Sequence, residues 1–400
     1  MRVNEVVTVI GLGYVGLPLA LAAAKNGYRV NGFDIDSKKI EQLKTGVSQI
    51  EDISGTEVLD LISSNRLQVG SDAQIIANSD IFIICVPTPL DLNRKPDLKY
   101  LHSALVTISN YLTKGCLVIV ESTIAPGTTR NELLPKLEEL SGLTTEDFDI
   151  AFSPERVDPR NSDWSIHNTP KLISGYSTAA LERAKSFYSK FVEHLVICDS
   201  LEIAETAKLL ENTFRLINIS FVNQIAMICQ SLDVNVSKVI AAASTKPYGF
   251  MPFYPSLGIG GHCIPVDPIY LSSKAKEFGA PTSLIDLADE INQNQPNYFA
   301  KRAELALSGL TGKKILIVGL SYKPNVSDIR ETPVISLINI LRQKGANVFW
   351  HDDLVKTWNG ETSSALNESY DLIIIATLHD YINLAALRNV KILDTKGSIN

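Results

Sequence analysis

Short apolar runs alternate with longer mixed segments through the first half of the chain. The segments between the runs are long enough for helices and combine polar with apolar residues, so each run is predicted to be a strand followed by a helix. Such alternation indicates parallel strands joined by crossover helices. The runs lie at 6–10, 30–33, 80–87, 116–123 and 171–175.

A different pattern begins near Leu201, where apolar residues recur at helical spacing for about thirty residues with almost no turn formers. This predicts one long helix. Strand-like runs then resume at 315–320, 347–352, 371–377 and 391–394. We therefore predict an α/β fold of two Rossmann-like doubly wound domains joined by a long central helix. The expected domain boundaries are 1–200, 201–300 and 301–400.

The composition narrows the choice of partners and compartment. A net charge of −7 argues against a protein that neutralises nucleic-acid phosphates. The most apolar early stretch, residues 15–24, is too short to span a bilayer and no cationic segment immediately precedes it. The five cysteines are odd in number and form no Cys-x-x-Cys pair, which favours a reducing compartment. We expect a cytoplasmic protein without nucleic-acid or membrane partners.

A glycine-rich turn follows the first predicted strand and opens the first predicted helix. In this context the pattern Gly-x-Gly-x-x-Gly is strong evidence for a dinucleotide site. Gly11 would permit the tight turn, Gly13 the approach of a pyrophosphate, and Gly16 the close packing of helix on strand. Asp34 ends the second predicted strand, 23 residues after Gly11.

The carboxylate of Asp34 would accept hydrogen bonds from a ribose 2′-hydroxyl and repel a 2′-phosphate. This favours NAD over NADP as the cofactor. Lys38 and Lys39 count slightly against that preference, because a basic residue there could neutralise a phosphate.

One cysteine stands apart from the others. Cys85, Cys116 and Cys229 lie in apolar runs and are expected in the core. Cys263 lies instead in Gly-Ile-Gly-Gly-His-Cys-Ile-Pro-Val-Asp-Pro, where glycines would let a ligand approach closely. A packed core thiol, a metal ligand and a nucleophile are the competing interpretations. No metal-ligand spacing is visible, whereas a thiol beside a nicotinamide could add to an aldehyde and yield a thioester.

Three polar residues share one face of the long predicted helix. Lys208, Asn212 and Arg215 stand at positions i, i+4 and i+7. A solvated stripe is the plain alternative. A desolvated lysine could stabilise a developing alkoxide or move a proton, and an asparagine could hold a hydroxyl or water.

Two loops add polar groups to the predicted sheet edge. Ser122, Thr123 and Thr128 leave a strand at the carboxyl edge, where ligands bind in open α/β sheets. Glu155 and Arg156 lie between prolines in Ser-Pro-Glu-Arg-Val-Asp-Pro. Each loop alone is as compatible with plain surface as with a site.

Taken together, seven segments in order resemble the nucleotide-sugar 6-dehydrogenases of the UDP-glucose/GDP-mannose dehydrogenase family. The resemblance runs through almost the whole chain and implies an N-terminal NAD domain, a central helical dimerisation segment and a C-terminal domain for the substrate's nucleotide. The partners implied are a UDP-sugar and a second subunit. The segments are GLGYVGLPLA, VPTP, ESTIAPGTT, SPERVDP, AKLLENTFR, GGHCIPVDP and GLSYKPNVSDIRETP.

The resemblance also implies residue roles. Cys263 would be the nucleophile, Lys208 the proton donor or oxyanion stabiliser, and Asp267 would orient or activate water for thioester hydrolysis. The implied catalytic set is Cys263, Lys208, Asn212, Asp267, Glu155 and Thr123. The implied NAD set is Gly11, Gly13, Tyr14, Val15, Gly16, Asp34, Lys39, Thr88, Thr123 and Arg330, the last from its own or the partner subunit. The implied substrate set is Arg156, Val157, Lys208, Asn212, Arg215, Gly260, Tyr322 and Lys323.

The implied reaction converts a UDP-sugar, two NAD and water into the UDP-sugar acid and two NADH, for surface polysaccharide synthesis. The segments look closest to the branch that acts on UDP-N-acetylglucosamine or UDP-N-acetylmannosamine. The UDP-glucose branch typically has an arginine sixteen residues before the cysteine, where this chain has Pro247. UDP-glucose and GDP-mannose remain weaker alternatives, as do a two-electron hydroxyacid or sugar-phosphate dehydrogenase and a catalytically silent nucleotide-sugar sensor.

Overall fold

The computed structural model describes residues 5–50, 52–158, 161, 163–384, 387 and 389–397. The chain separates into two compact units, Met1–Leu210 and Glu211–Asn400. In the described part of the chain, no helix is both long enough and apolar enough to cross a membrane.

Within these residues the first unit is built on a sheet of eight strands in the order β3-β2-β1-β4-β5-β6-β7-β8. The strand order reverses between β1 and β4, so the loops after these strands flank a crevice at the carboxyl edge of the sheet. The strands are β1 Val6–Ile10, β2 Arg29–Phe33, β3 Leu67–Gly70, β4 Ile81–Ile84, β5 Leu117–Val120, β6 Asp149–Phe152, β7 Lys171–Gly175 and β8 Leu195–Ile197.

Helices cover the first sheet, which explains why its central strands are apolar throughout. Every residue of β4 and β5 is buried, as expected for parallel strands packed on both faces. The helices are α1 Gly16–Lys25, α2 Ser37–Lys44, α3 Gly55–Ser63, α4 Lys99–Ser109, α5 Leu134–Ser141 and α6 Thr178–Tyr188, with a 3-10 turn at Ala73–Ile76 and a π-helical turn at Thr129–Leu133.

The predicted long helix is confirmed as α7, Leu201–Ser231, with 31 residues. The remaining helices are α8 Val236–Ala243, α9 Asp267–Glu277, α10 Ser283–Leu307 and α11 Pro333–Gln343. In the described part of the second unit, four parallel strands form a sheet in the order β10-β9-β13-β14, and β11 and β12 form a small hairpin. These strands are β9 Lys314–Val318, β10 Asn347–His351, β11 Thr357–Trp358, β12 Glu361–Thr362, β13 Leu372–Ile375 and β14 Ile392–Asp394.

The fold-class prediction is confirmed, with one correction. The alternation predicted parallel strands, but β7 pairs antiparallel with β6, with Phe152 opposite Ser174. A parallel pair needs a crossover connection, and the described residues between β6 and β7 contain no helix, so the chain turns back. Lys171, at the start of β7, therefore lies at the carboxyl edge of the sheet.

Candidate functional site

The glycine-rich turn between β1 and α1 has the geometry that the sequence predicts. Gly11 has φ +92°, and a Cβ there would lie 2.6 Å from the carbonyl oxygen of Cys85. A Cβ at Gly16 would lie 1.9 Å from the carbonyl oxygen of Gly11, so helix and turn touch. A Cβ at Gly13 would meet nothing within 4 Å. The first and third glycines thus serve the backbone, while Gly13 faces open space where a diphosphate fits.

Asp34 closes the other side of this turn. Its buried carboxylate accepts hydrogen bonds from the backbone N–H of Leu12 at 2.9 Å and of Asp36 at 3.0 Å. Lys39 Nζ lies 2.7 Å from Asp34 Oδ2. The lysine is thus next to the predicted ribose acceptor, and its charge is balanced by Asp34.

The start of α1 completes a cradle that fits a dinucleotide. Tyr14 and Val15 are half-buried just before the helix. The first turn of α1 contains no acidic residue, so its backbone N–H groups and the helix dipole favour an anion.

Further predicted residues lie at the same edge of the first sheet. Thr88 is buried after β4, and Thr123 is half-buried after β5. Ser122 Oγ donates to the carbonyl oxygen of Val86 at 2.7 Å, which ties the two loops together. The structure therefore brings Thr88 and Thr123 into neighbouring loops. Thr128 is buried.

Glu155 is anchored in the loop after β6. Its Oε1 accepts hydrogen bonds from the backbone N–H of Arg156 at 2.7 Å and of Val157 at 2.5 Å. Its Oε2 lies 3.7 Å from Lys171 Nζ. The Arg156 guanidinium donates to the carbonyl oxygen of Pro170 at 2.6 Å, which fastens the loop to the start of β7.

Sequence reasoning missed the buried charges beside Glu155. Lys171 Nζ lies 3.2 Å from Glu121 Oε1, and both side chains are almost inaccessible to solvent. The Tyr188 hydroxyl donates to the same Glu121 oxygen. Burial raises the pKa of Glu121, and the Lys171 charge offsets only part of that effect. Burial lowers the pKa of Lys171, but the two carboxylates together raise it above its ordinary value.

In the second unit, Cys263 is exposed in the loop before α9. Its carbonyl oxygen accepts from the N–H of Val266 at 3.1 Å and of Asp267 at 2.8 Å, so the thiol lies one turn ahead of the helix. His262 is half-buried, and burial together with the nearby Arg330 charge lowers its pKa. The other cysteines predicted in the core, Cys85, Cys116 and Cys229, are buried.

Asn212 and Asp267 meet although they are 55 residues apart in the sequence. Asn212 Nδ2 donates to Asp267 Oδ2 at 2.5 Å. Asp267 is 2% exposed and opens α9. The structure thus joins two members of the predicted catalytic set near Cys263. Lys208 is half-buried on α7, and Arg215 is exposed on that helix.

The glycines before Cys263 pack against the predicted substrate loop. A Cβ at Gly260 would lie 2.7 Å from the carbonyl oxygen of Glu331, and one at Gly261 would lie 2.8 Å from the Tyr322 ring. The N–H of Gly261 donates to the carbonyl oxygen of Arg330 at 3.0 Å. These glycines thus permit close approach of protein rather than of ligand. Lys323, next to Tyr322, is half-buried.

Arg330 points its guanidinium at a neighbour in its own loop. Its Nε lies 3.0 Å from both carboxylate oxygens of Asp328, and its Nη2 lies 2.6 Å from one of them. Contact of Arg330 with NAD stays a prediction.

The second unit repeats the strand–turn geometry of Gly11 and Asp34, but its aspartate is occupied by protein groups. Gly319 has φ +87° and donates to the carbonyl oxygen of His351 at 2.8 Å, as Gly11 donates to Phe33. Asp352 occupies the position that Asp34 has in the first unit. Its fully buried carboxylate accepts from four backbone N–H groups and lies 3.2 Å from His379 Nε2. Burial alone would raise the pKa of Asp352, but His379 and the N–H donors hold it well below its ordinary range.

No group of three or more His, Cys, Asp or Glu side chains suited to a metal ion occurs among the residues that the structure covers.

Three domains of one protein family match the chain in order. Residues 5–192 match the NAD binding domain of the UDP-glucose/GDP-mannose dehydrogenase family, residues 202–294 its central domain, and residues 316–400 its UDP binding domain. The chain belongs to this family. The recognition made from the sequence is confirmed, and so is NAD as the cofactor of residues 5–192.

Individual members of the family resemble the chain over most of its length. A UDP-N-acetyl-D-mannosamine dehydrogenase of Pyrococcus horikoshii is 37% identical, covering 93% of this chain and 89% of that protein. A UDP-N-acetyl-D-glucosamine 6-dehydrogenase of Salmonella typhi is 34% identical, covering 94% and 91%. The solved UDP-D-ManNAc dehydrogenase structure from Pyrococcus horikoshii superposes with a TM-score of 0.92 at 34% identity, covering 99% of this chain and 96% of that one.

Within this family member, the predicted residues fall into two groups, one in each unit. The first unit holds the glycine turn, Asp34, Lys39, Thr88, Thr123, Glu155, Arg156, Val157 and Lys208. The second holds Asn212, Arg215, Gly260, Cys263, Asp267, Tyr322, Lys323 and Arg330.

The first two glycines of the dehydrogenase's NAD turn, Gly11 and Gly13, permit a matched test. Gly13→Ala should leave the melting temperature nearly unchanged, because its Cβ enters open space. It should weaken NAD binding about tenfold, since the methyl group occupies the diphosphate's approach. Gly11→Ala should destabilise the protein by about 1–3 kcal/mol through strain and the contact with Cys85. Thermal melts and calorimetric NAD titrations measure both, and wild-type NAD affinity in Gly13→Ala would contradict the assignment.

Proposed function

We propose that the protein oxidises the C6 hydroxyl of a UDP-N-acetylhexosamine, UDP-GlcNAc or UDP-ManNAc, to the carboxylate in two NAD-dependent steps. The observation that carries the proposal is the exposed Cys263 one turn before the Asn212–Asp267 hydrogen bond, in a chain with all three domains of the family. A two-electron alcohol dehydrogenase has no use for this thiol.

The chain's own residues divide the work as follows. The glycine turn, Asp34 and the start of α1 hold NAD, which accepts the electrons lost by C6 in both oxidations. Lys208 stabilises the oxyanion that develops on the C6 oxygen or moves its proton. Cys263 Sγ adds to the aldehyde carbon, so the half-oxidised sugar stays attached to the enzyme until the second oxidation gives a thioester.

The thioester is then hydrolysed. Asp267, oriented by the Asn212 amide, and Glu155, oriented by two backbone N–H groups, are the carboxylates proposed to handle the attacking water. Thr123 is proposed to contribute a hydroxyl to the same step. The carbon–sulfur bond breaks, the sugar acid leaves, and the Cys263 thiol is restored.

The N-acetylhexosamine class is supported by the two curated relatives, whose names give UDP-N-acetyl-D-mannosamine and UDP-N-acetyl-D-glucosamine as substrates. Pro247 in place of the arginine typical of the UDP-glucose branch supports the same choice. The substrate-binding residues proposed are Arg156, Val157, Lys208, Asn212, Arg215, Gly260, Tyr322 and Lys323. The acid product, still activated by UDP, suits transfer into a surface polysaccharide.

An assay with a substrate panel tests this function. NAD is incubated with UDP-GlcNAc, UDP-ManNAc, UDP-N-acetylgalactosamine, UDP-glucose or GDP-mannose, and NADH absorbance is followed to completion. We expect turnover with one of the first two and two NADH for each sugar consumed. One NADH per sugar would exclude the thioester route, and binding without any turnover would indicate a silent sensor.

We also propose that two copies associate through α7. Four large apolar side chains, spaced four, seven and seven residues apart, are about half exposed or more on this helix, which is the spacing of a helix–helix seam. They are Leu210, Phe214, Phe221 and Ile228. Sedimentation velocity should give the mass of two chains.

All five cysteines are free thiols, which supports the reducing cytoplasm as the compartment.

A further inference from the structure

The buried charges at the edge of the first sheet form a chain that ends at Glu155. Lys171 is 5% exposed, and its ammonium group lies between Glu121 Oε1 at 3.2 Å and Glu155 Oε2 at 3.7 Å. Glu121 is 2% exposed, whereas the Glu155 side chain remains 15% accessible. Of the two carboxylates beside the lysine, Glu121 is buried in the core, whereas Glu155 can be reached by a small molecule such as water.

The antiparallel course of β7 creates this arrangement. Continuing the pairing of Phe152 with Ser174 by three residues places Lys171 opposite Glu155. Two further contacts fasten the lysine there: its Nζ donates to the carbonyl oxygen of Pro154 at 3.5 Å, and Ser153 Oγ donates to the carbonyl oxygen of Leu172 at 2.8 Å. A parallel β7 would have carried Lys171 to the opposite edge of the sheet.

A buried ion pair is costly to form and is weak evidence of a purely stabilising role. Here Glu121 alone would neutralise the lysine, and the Tyr188 hydroxyl and ring already cap the pair. The second carboxylate, Glu155, is oriented by the backbone N–H groups of the two residues that follow it and by the ammonium group of Lys171. The lysine is therefore arranged to act on Glu155.

We propose that Lys171, balanced by Glu121, is a positioning residue for thioester hydrolysis: it aims the Glu155 carboxylate and sets a positive charge beside it while Glu155 takes a proton from water. The inference rests on the proposed function. In this step the water oxygen bonds to the thioester carbon, the water proton passes to Glu155, the carbon–sulfur bond breaks, and the Cys263 thiolate departs and is reprotonated. Nothing is oxidised or reduced.

Electrostatics gives the two partners of Lys171 opposite effects. Without the lysine, the Glu121 and Glu155 carboxylates remain together with no positive charge between them, which disfavours the Glu155 anion. Without the Glu121 charge, the whole lysine charge acts on Glu155 and favours its anion. The titratable and charged groups around Glu155 are Lys171 from β7, Glu121 after β5, Tyr188 from α6, Cys85 after β4, and Arg156 of its own loop.

The test compares pH profiles of acid formation by the full-length enzyme with the UDP-sugar found active in the panel. Lys171→Met should move the acid limb of the profile to higher pH by about one unit, and Glu121→Gln should move it to lower pH. The double variant should lie between the single variants. Acid-quench mass spectrometry should show acylated Cys263 accumulating in Lys171→Met below the shifted limb.

Matched surface variants control for net charge. Lys185→Met and Glu182→Gln change charge by the same amounts in a solvated pair 3.5 Å apart on α6, and both should keep the wild-type profile. The inference would be overturned if the acid limbs of Lys171→Met and Glu121→Gln did not shift, or if both shifted in the same direction. The proposed function would survive that result, because the wild type would still be active. If Lys171→Met does not fold, the near-isosteric Glu121→Gln decides by its direction. A wild type without NADH formation would remove the proposed function and this inference with it.

Discussion

Cys263→Ala is expected to abolish formation of the sugar acid while leaving sugar-nucleotide binding almost intact. The side chain is exposed in its loop, so its loss removes no buried packing. It does remove the atom that would hold the aldehyde, and without a covalent intermediate the second oxidation competes with aldehyde release. We expect acid production to fall by at least about a thousandfold. The affinity for the UDP-sugar should change by less than about threefold.

Mass spectrometry of the product and calorimetric titration of the UDP-sugar measure the two quantities separately. Cys198→Ala is a suitable control, because it removes a partly exposed thiol of the first unit that has no assigned role. Undiminished acid production by Cys263→Ala would refute the nucleophile assignment. Loss of UDP-sugar binding together with activity would point instead to a structural role of the loop.

Lys208→Ala should slow the oxidation itself. Lys208 is half-buried on α7, where a cation close to the reacting oxygen can stabilise developing negative charge. A general acid or base of this kind contributes about 10²–10⁴-fold to the rate, so kcat should fall within that range. NAD affinity should change little, because the residues proposed to hold the cofactor are the glycine turn and Asp34.

The slowed step can be identified with a substrate deuterated at C6. Its isotope effect on kcat should increase in Lys208→Ala, because hydride transfer becomes rate-limiting. Lys238→Ala, on the exposed side of α8, should behave as wild type. A variant that loses NAD affinity but keeps its maximal rate would contradict the role given to Lys208.

The NAD half of the site could be predicted from the sequence because its signals are local. Gly11, Gly13, Gly16 and Asp34 belong to one strand–turn–helix–strand unit, and each position has its own geometric demand. The positive φ of Gly11 and the contact of Gly16 with the turn are the demands that the spacing predicts. The long helix α7 was equally accessible, because thirty residues of helical periodicity leave few alternatives.

The grouping of Lys171 with Glu121 and Glu155 could not be predicted in this way. Its members lie in three separate segments, and their meeting depends on β7 running antiparallel to β6, which the alternation of elements predicted wrongly. A lysine opening an apolar strand looks like the solvent end of that strand. The only local signal was Glu121, a carboxylate placed directly after four buried residues.

The glycines around Cys263 show a second limit of sequence reasoning. Their number correctly marks a close approach, but the groups that approach Gly260 and Gly261 come from the loop of Tyr322 and Glu331, about sixty to seventy residues away. A sequence reveals that space is needed and does not reveal what occupies it.

The filled turn of the second unit has a consequence for selectivity. The Asp352 carboxylate accepts hydrogen bonds from four backbone N–H groups and has His379 beside it, so no acceptor position remains for a sugar hydroxyl. The Asp34 carboxylate accepts from only two backbone N–H groups among the described residues. The same backbone bend is thus the proposed ribose site in the first unit and an internal brace in the second. The second unit therefore shares this backbone bend with the first but lacks a free carboxylate with which to form a second ribose site of the same kind.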